Sequence, residues 1–318
     1  MVVPMSLPWT GQPSVDRSST KLSNARWIGL GSVILATVLW GLSNVVILQV
    51  ETVVAPLPLI LVRFGLVALL TLPFVIHHRV DRRLVLGTLL SGAIIGMATV
   101  AQATALKTIS VDQMAFISAL YVVLTPVVMA VSHRRWPGWL VVISGLVSLC
   151  GVALLIGHIG LTLRSGTWWA LGGAVGITLQ IVVLGSIAPR ISPMRLTAWQ
   201  SLGATGALFI WFLFTGDGFK FSGLALHMWT WAIWGGIVYL AVGGGLVAFW
   251  LQAKGQRVMS PTASALAFNT EPLWTTLIAW LWLRETMSLI QIAGALLTVG
   301  SLSATTRFSE NAKDTAVP

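Results

Sequence analysis

The sequence predicts an all-α integral membrane protein of ten transmembrane helices, arranged as two inverted five-helix repeats with both termini cytoplasmic. Three observations carry that prediction. The 318 residues are 56% hydrophobic and 9% charged, with mean hydropathy +0.88, whereas a soluble domain carries about 25% charge. The chain reads as successive apolar segments, most of them near the ~20 residues that cross a bilayer, and basic residues gather in alternate connections. The second half also echoes the first.

In order, the segments are Ile28–Val50, Pro56–Ile76, Leu84–Leu106, Gln113–Ser132, Trp139–Ile156, Gly166–Ile187, Leu196–Thr215, Trp229–Ala253, Ser260–Leu283 and Leu289–Thr305. Residues 1–27 then form a cytoplasmic N-terminal tail, 28–157 the first repeat, 166–305 the second, and 306–318 a cytoplasmic C-terminal tail. The polar stretch before Ile28 carries Arg17 and Lys21 and lacks the continuous apolar core of a signal peptide, so the first span is expected to stay as an anchor. Connections are short, leaving no extramembrane domain.

With the N-terminus inside, fourteen basic residues fall on the cytoplasmic side, against Lys107, Arg164, Lys220 and Arg284 outside. That is a positive-inside bias in both halves, and losing one span would invert the later loops and spoil it. Tryptophans at the segment ends agree: Trp168, Trp169, Trp211, Trp229, Trp231, Trp280 and Trp282 at outer ends, Trp136 and Trp139 at an inner one. The formal charge of +10 is spread over these loops rather than gathered in a patch, so it reads as a topology signal and not as a nucleic-acid surface. Cys150 is the only cysteine, which excludes an intrachain disulfide.

A shift of 150 residues pairs Ala98 with Ala248, Gln102 with Gln252, Lys107 with Arg257, Ser110 with Ser260, Ala115 with Ala265 and Thr125 with Thr275. After a one-residue gap, Gly145 pairs with Gly294 and Gly151 with Gly300, and a shift of 136 pairs Asn44 with Gln180. Five spans per half is an odd number, so the second half must enter the membrane upside down. Inverted repeats of this kind usually hold a transport site at the repeat interface, near mid-membrane.

Glu271, beside Pro272, lies in the ninth segment, roughly 18 Å from either end at ~1.5 Å of rise per residue. A carboxylate at that depth costs about 2.5–3.5 kcal/mol and defaults to a functional reading. The structural alternative is a neutral acid donating a hydrogen bond to a neighbouring helix. Ser264, Phe268, Glu271 and Thr275 share one helix face, and their repeat partners Met114, Ser118, Tyr121 and Thr125 share another. Facing each other, the two faces would line a pocket suited to a small amphipathic solute. Alternatively, the hydroxyls bond back to their own helices and the aromatics fill the bundle.

Gln102, Gln252, Asn44 and Gln180 need partners in hydrocarbon, either across helices or on a solute. Trp40-Gly41 offers a stacking wall beside a close backbone approach, or ordinary packing. Arg63 either snorkels to the outer headgroups, the preferred reading, or turns inward to pair or bind a solute anion. Gly243, Gly244 and Gly245 would let helices approach and make the eighth segment deformable, and Pro126 and Pro272 mark candidate bends. No G-x-x-x-x-G-K-[ST] loop occurs and no His/Cys/Asp/Glu cluster has metal spacing, His77-His78 lying in a basic loop, so no cofactor is expected.

Trp40-Gly41 in the first segment, Arg63-Phe64 in the second and Glu271-Pro272 in the ninth together resemble the EamA-type drug/metabolite transporters. Leu283-Arg284-Glu285 looks like that family's L-G-E, with Arg284 in place of Gly, and Leu120-Tyr121 occupies the family's place in the fourth segment, with Val122 where Pro is often found. The resemblance covers roughly residues 28–305. It implies a secondary transporter of the plasma membrane rather than an enzyme, commonly an exporter of amino acids or other small metabolites. Its central cavity would be lined by helices 1, 3, 4, 6, 8 and 9, and several members are driven by proton exchange. The expected site is therefore Trp40, Asn44, Gln102, Ser118, Tyr121, Thr125, Gln180, Gln252, Phe268 and Thr275 for the solute, with Glu271 for the proton. The expected partners are a small-molecule substrate, protons and membrane lipids, with the chain a monomer or a homodimer. A passive facilitator or channel, or a lipid-handling membrane enzyme, stays open as an alternative.

Overall fold

The computed structural model describes residues 17–76, 81–134, 136, 138–157, 163–215, 230–283 and 288–314. Among these residues the chain is helical, with no strand. The first half comprises α1 (Arg17–Val50), α2 (Pro56–Ile76), α3 (Arg82–Ala105), α4 in two pieces, α4a (Val111–Ala119) and α4b (Tyr121–His133), and α5 (Trp139–Ile156). The second half comprises α6 (Ser165–Ile187) and α7 (Pro193–Thr215). Next comes α8, built from α8a (Trp231–Ala241), a π-helical turn (Val242–Val247) and α8b (Ala248–Gln256). The chain ends with α9a (Pro261–Phe268), α9b (Glu271–Leu283) and α10 (Leu289–Asp314). His77, His78, Arg79, Arg135, Lys220, Trp229, Arg284 and Glu285 lie outside the described residues.

Among the described residues, eight helices are long and apolar enough to cross a membrane. An interruption divides α9 into two pieces, each shorter than a span, and the apolar part of α10 is the shorter stretch Leu289–Ala304. The outer surface is apolar, with Phe214 86% and Trp231 91% exposed, as suits a chain facing lipid.

The duplication shows in local structure. Ser110 caps α4a by accepting from Gln113 N–H at 3.2 Å, and Ser260 caps α9a by accepting from Ala263 N–H at 3.2 Å. The pieces α4b and α9b begin and end at positions offset by the same 150 residues. Packing is reciprocal as well: α1 packs on α8 and α9, while its counterpart α6 packs on α3 and α4. The counterparts α5 and α10 run antiparallel, for Gln291 Nε2 donates to Leu155 O while Gly151 lies against Gly294 and Thr298.

Two sequence expectations need correction. The fourth and ninth helices are not continuous, so the face expected to carry Ser264, Phe268, Glu271 and Thr275 is split. Pro272 has no N–H to return to Phe268 O, and it sits at the second position of α9b, where none is needed. The break falls at Asn269-Thr270, whose N–H groups turn back to Ala265 O and Ala267 O. In the fourth helix the interruption is at Leu120, whose N–H bonds Ile117 O, while Pro126 sits inside α4b. No proline accounts for that interruption.

Many buried hydroxyls are satisfied within their own helices, among them Ser43 on Leu39 O, Thr88 on Leu84 O and Thr178 on Ala174 O. The break in α9 is tied more firmly. Asn269 Nδ2 donates to Ser148 Oγ on α5 at 2.7 Å, both buried, and Asn269 Oδ1 has no partner. Ser148→Ala is therefore expected to cost about 1–3 kcal/mol, the penalty of a buried amide left wholly unpaired, read as a lowered unfolding temperature in detergent.

Candidate functional site

The polar centre assembles where α1 of the first half meets α8 and α9 of the second. Gly41 makes this contact possible: a Cβ there would lie 2.8 Å from Trp274 Cβ and 2.9 Å from Thr275 N. One turn further along α1, Asn44 Nδ2 donates to Glu271 Oε1 at 2.9 Å and to Thr275 Oγ1 at 3.1 Å, and Thr275 Oγ1 in turn donates to Glu271 O at 3.1 Å. Glu271 is the first residue of α9b and keeps accessible surface after the seven buried residues Ser264–Thr270. The acid therefore stands at a break between helix pieces rather than midway along a packed rod.

Beside it the π-helical turn of α8 re-aims a carbonyl. Gly244 O accepts from Trp40 Nε1 at 3.1 Å and from Arg63 Nη2 at 2.7 Å. A π-turn offsets the usual backbone ladder and leaves carbonyls to outside donors, and such turns recur at functional sites. Gly244 has no room for a side chain, since a Cβ there would collide with Ser43 Oγ and lie 3.3 Å from Arg63 Nη2. Arg63 thus points inward, which overturns the snorkelling reading. Its Nε is buried without a hydrogen-bond partner, and the guanidinium lies within electrostatic reach of Glu271. An orphaned guanidinium N–H in low dielectric gains most from an acceptor placed there. Tyr239 completes this side, donating its hydroxyl to Leu39 O at 2.8 Å.

An aromatic wall adjoins the polar groups. Trp40 meets Phe249 edge-on at 5.7 Å between ring centres and Phe268 at 5.6 Å, and Phe249 meets Phe64 at 5.7 Å. Tyr121 and Phe268 belong to one buried apolar cluster, and Tyr121 lies within electrostatic reach of Glu271.

The remaining residues expected from sequence form separate pairs. Gln102 Nε2 donates to Ser118 Oγ at 2.9 Å, and Ser118 Oγ reaches Met114 Sδ at 3.4 Å, linking α3 to α4a. Gln252 Nε2 faces Gln180 Oε1 at 3.4 Å between α8b and α6, leaving Gln180 Nε2 and Gln252 Oε1 unpartnered. Thr125 Oγ1 bonds back to Tyr121 O at 2.7 Å, the self-satisfied arrangement. The structure thus brings Trp40, Asn44, Tyr121, Phe268, Glu271 and Thr275 to one locality, sets the glutamine pairs and Ser118 in contacts of their own, and turns Thr125 onto its helix. Sequence reasoning missed the carbonyl of Gly244, although three consecutive glycines signalled a deformable segment. It also missed the contact of Thr37 Oγ1 with Thr270 Oγ1 at 3.1 Å, a second tie between α1 and the break in α9.

The arrangement gathers the polar groups a small solute could meet: an acid with a single amide donor, a guanidinium with an unused N–H held on the Gly244 carbonyl, and a wall of rings. Among known proteins, a crystal structure whose description names no function aligns with TM-score 0.72 and 17% identity, covering 91% of this chain and 98% of that one, a likeness of fold alone. A search of curated proteins finds no match. The model of the EamA-like transporter family matches twice, over residues 27–157 and 164–307. With both halves matched, the chain belongs to the EamA-like transporter family and is a multi-pass membrane protein.

Proposed function

We propose that the chain is a secondary active transporter with ten spans in two inverted halves, both termini cytoplasmic. It moves a small amphipathic metabolite, an amino acid or related compound, outward across the plasma membrane by alternating access. The single observation that carries this reading is the hydrogen bond from Asn44 to a partly exposed Glu271. It joins the first helix of one half to the broken helix of the other, so a movement that parts α1 from α9b would break it. Arg63, Gly244 O and the rings around Trp40 supply the remaining polarity and the apolar wall. Glu271 exchanges a proton for solute or holds the solute's amine. Gln102, Ser118, Tyr121, Thr125, Gln180, Gln252, Phe268 and Thr275 serve as the further solute contacts.

The eighth helix is the suited moving part, because a π-turn exchanges with α-helical winding by shifting one residue of register. The antiparallel packing of α5 against α10 supports the inverted arrangement.

Two measurements test the reading. Extracellular metabolites compared between deletion and overexpression strains should show one amphipathic solute rising with the gene dose. In proteoliposomes, that solute should move when a pH gradient is imposed and exchange against itself without one. Flux that saturates poorly, ignores the gradient and shows no exchange would make the chain a passive facilitator. An unchanged solute pool in every strain would remove export.

A further inference from the structure

A cavity of about 430 Å³ opens between α4b and α5, away from the polar centre and containing none of the candidate site residues. Along α4b its edge is formed by Val123, Val127, Ala130 and Arg134, at spacings of three or four residues, the row that one face of a helix presents. From Val123 to Arg134 that row spans about 16 Å at the α-helical rise, so the slot runs along the helix rather than across it. Val142 and Gly145 of α5 line the opposite side.

The end of the slot differs chemically from its length. Arg134 adopts a left-handed conformation at φ 50° and ends α4b, its N–H returning to Ala130 O and Val131 O. The backbone is thereby fixed while the side chain stays exposed, and no acidic residue pairs with Arg134 among the described residues. Trp136 lines the same end, 65% exposed, and packs edge-on against Trp139 with ring centres 5.3 Å apart. A membrane-aligned apolar slot capped by a cation and an interfacial tryptophan pair complements a molecule with an apolar tail and an anionic head.

We propose that this groove seats one acyl chain of an anionic phospholipid, with the headgroup phosphate on Arg134 and the glycerol region against Trp136. The guanidinium presents paired donors to phosphate oxygens, and the row of valines and Ala130 covers the chain. The lipid holds α4b against α5 from outside, on the helix piece that follows the Leu120 interruption. This assignment is independent of which solute the polar centre takes.

The test is native mass spectrometry of the full chain released from nanodiscs made of phosphatidylcholine and phosphatidylglycerol with identical acyl chains. The expected result is retention of phosphatidylglycerol over phosphatidylcholine by about fivefold, the gain of one basic residue at an anionic surface. Arg134→Gln should remove the preference while some lipid is still retained, and Ala130→Trp, which fills the slot, should remove retention of both. Val127→Trp takes the place of Ala130→Trp should the latter fail to show a cooperative unfolding transition. Equal retention of the two lipids, a preference that survives Arg134→Gln, or retention that survives the slot-filling variant would each overturn the assignment. So would cysteine cross-linking at Val131 that joins two copies across this face, because the groove would then be a protein seam.

Discussion

Glu271→Gln is expected to abolish pH-driven flux in proteoliposomes while leaving the protein folded. The two side chains have the same shape, and the glutamine's Oε1 can still accept from Asn44 at the 2.9 Å seen for the carboxylate. The contact between α1 and α9b therefore survives, and the unfolding temperature should move little. What disappears is the charge and the ability to take up and release a proton. If the acid holds a solute amine, losing a hydrogen bond to a charged group removes about 1.5–3 kcal/mol, or roughly a tenfold to hundredfold loss of occupancy. If the acid carries the proton instead, gradient-driven movement stops but solute self-exchange persists. Measuring both modes on one preparation separates these roles. Full gradient-driven flux in the variant would remove Glu271 from the mechanism without removing transport.

Much of the frame was legible because it rests on local chemistry. Ser110 and Ser260 announce helix starts through their own hydroxyls, and the offset of 150 residues follows from those caps, with matching helix ends beyond them. The interruptions were less legible. Hydropathy carries no mark of a broken helix when both pieces remain apolar, and Pro272 signals a bend without saying that the chain separates at Asn269-Thr270. Arg63 shows the consequence. On straight helices the sequence favours snorkelling to the headgroups, whereas the π-turn brings the guanidinium inward to Gly244 O, within electrostatic reach of the acid.

Departures from symmetry were hidden for a different reason. The repeat pairs Gln102 with Gln252 and Asn44 with Gln180, so the counterpart of the Gln180–Gln252 contact would be one between Asn44 and Gln102. The molecule does not make it: Gln102 turns to Ser118, and Asn44 crosses to Glu271. Glu271 stands where the repeat has Tyr121 in the first half, and the amide opposite it takes the stronger acceptor. Duplication explains the frame, and this carboxylate explains where the frame stops being symmetric.

That crossing depends on a missing side chain, which leads to the second large effect. Gly41→Ala is expected to lower stability by about 1–3 kcal/mol, the usual cost of forcing an extra group into a close-packed interior, and to abolish gradient-driven flux. The added Cβ would sit 2.8 Å from Trp274 Cβ and 2.9 Å from Thr275 N, and neither atom is the free end of a flexible side chain. The helices must separate, and the first contacts to lengthen are those of Asn44 with Glu271 and Thr275, three residues along the same helix. Gly31→Ala on the same α1 is the matched control. A Cβ at Gly31 meets nothing within 4 Å, so that change should stabilise by the ~0.5–1 kcal/mol that alanine gains over glycine inside a helix and leave flux intact. Unfolding temperatures moving in opposite directions for the two alanines, with flux lost only for Gly41→Ala, would show that the approach of α1 to α9b sets the polar centre. Full flux in Gly41→Ala would mean that the Asn44–Glu271 contact is not required for transport.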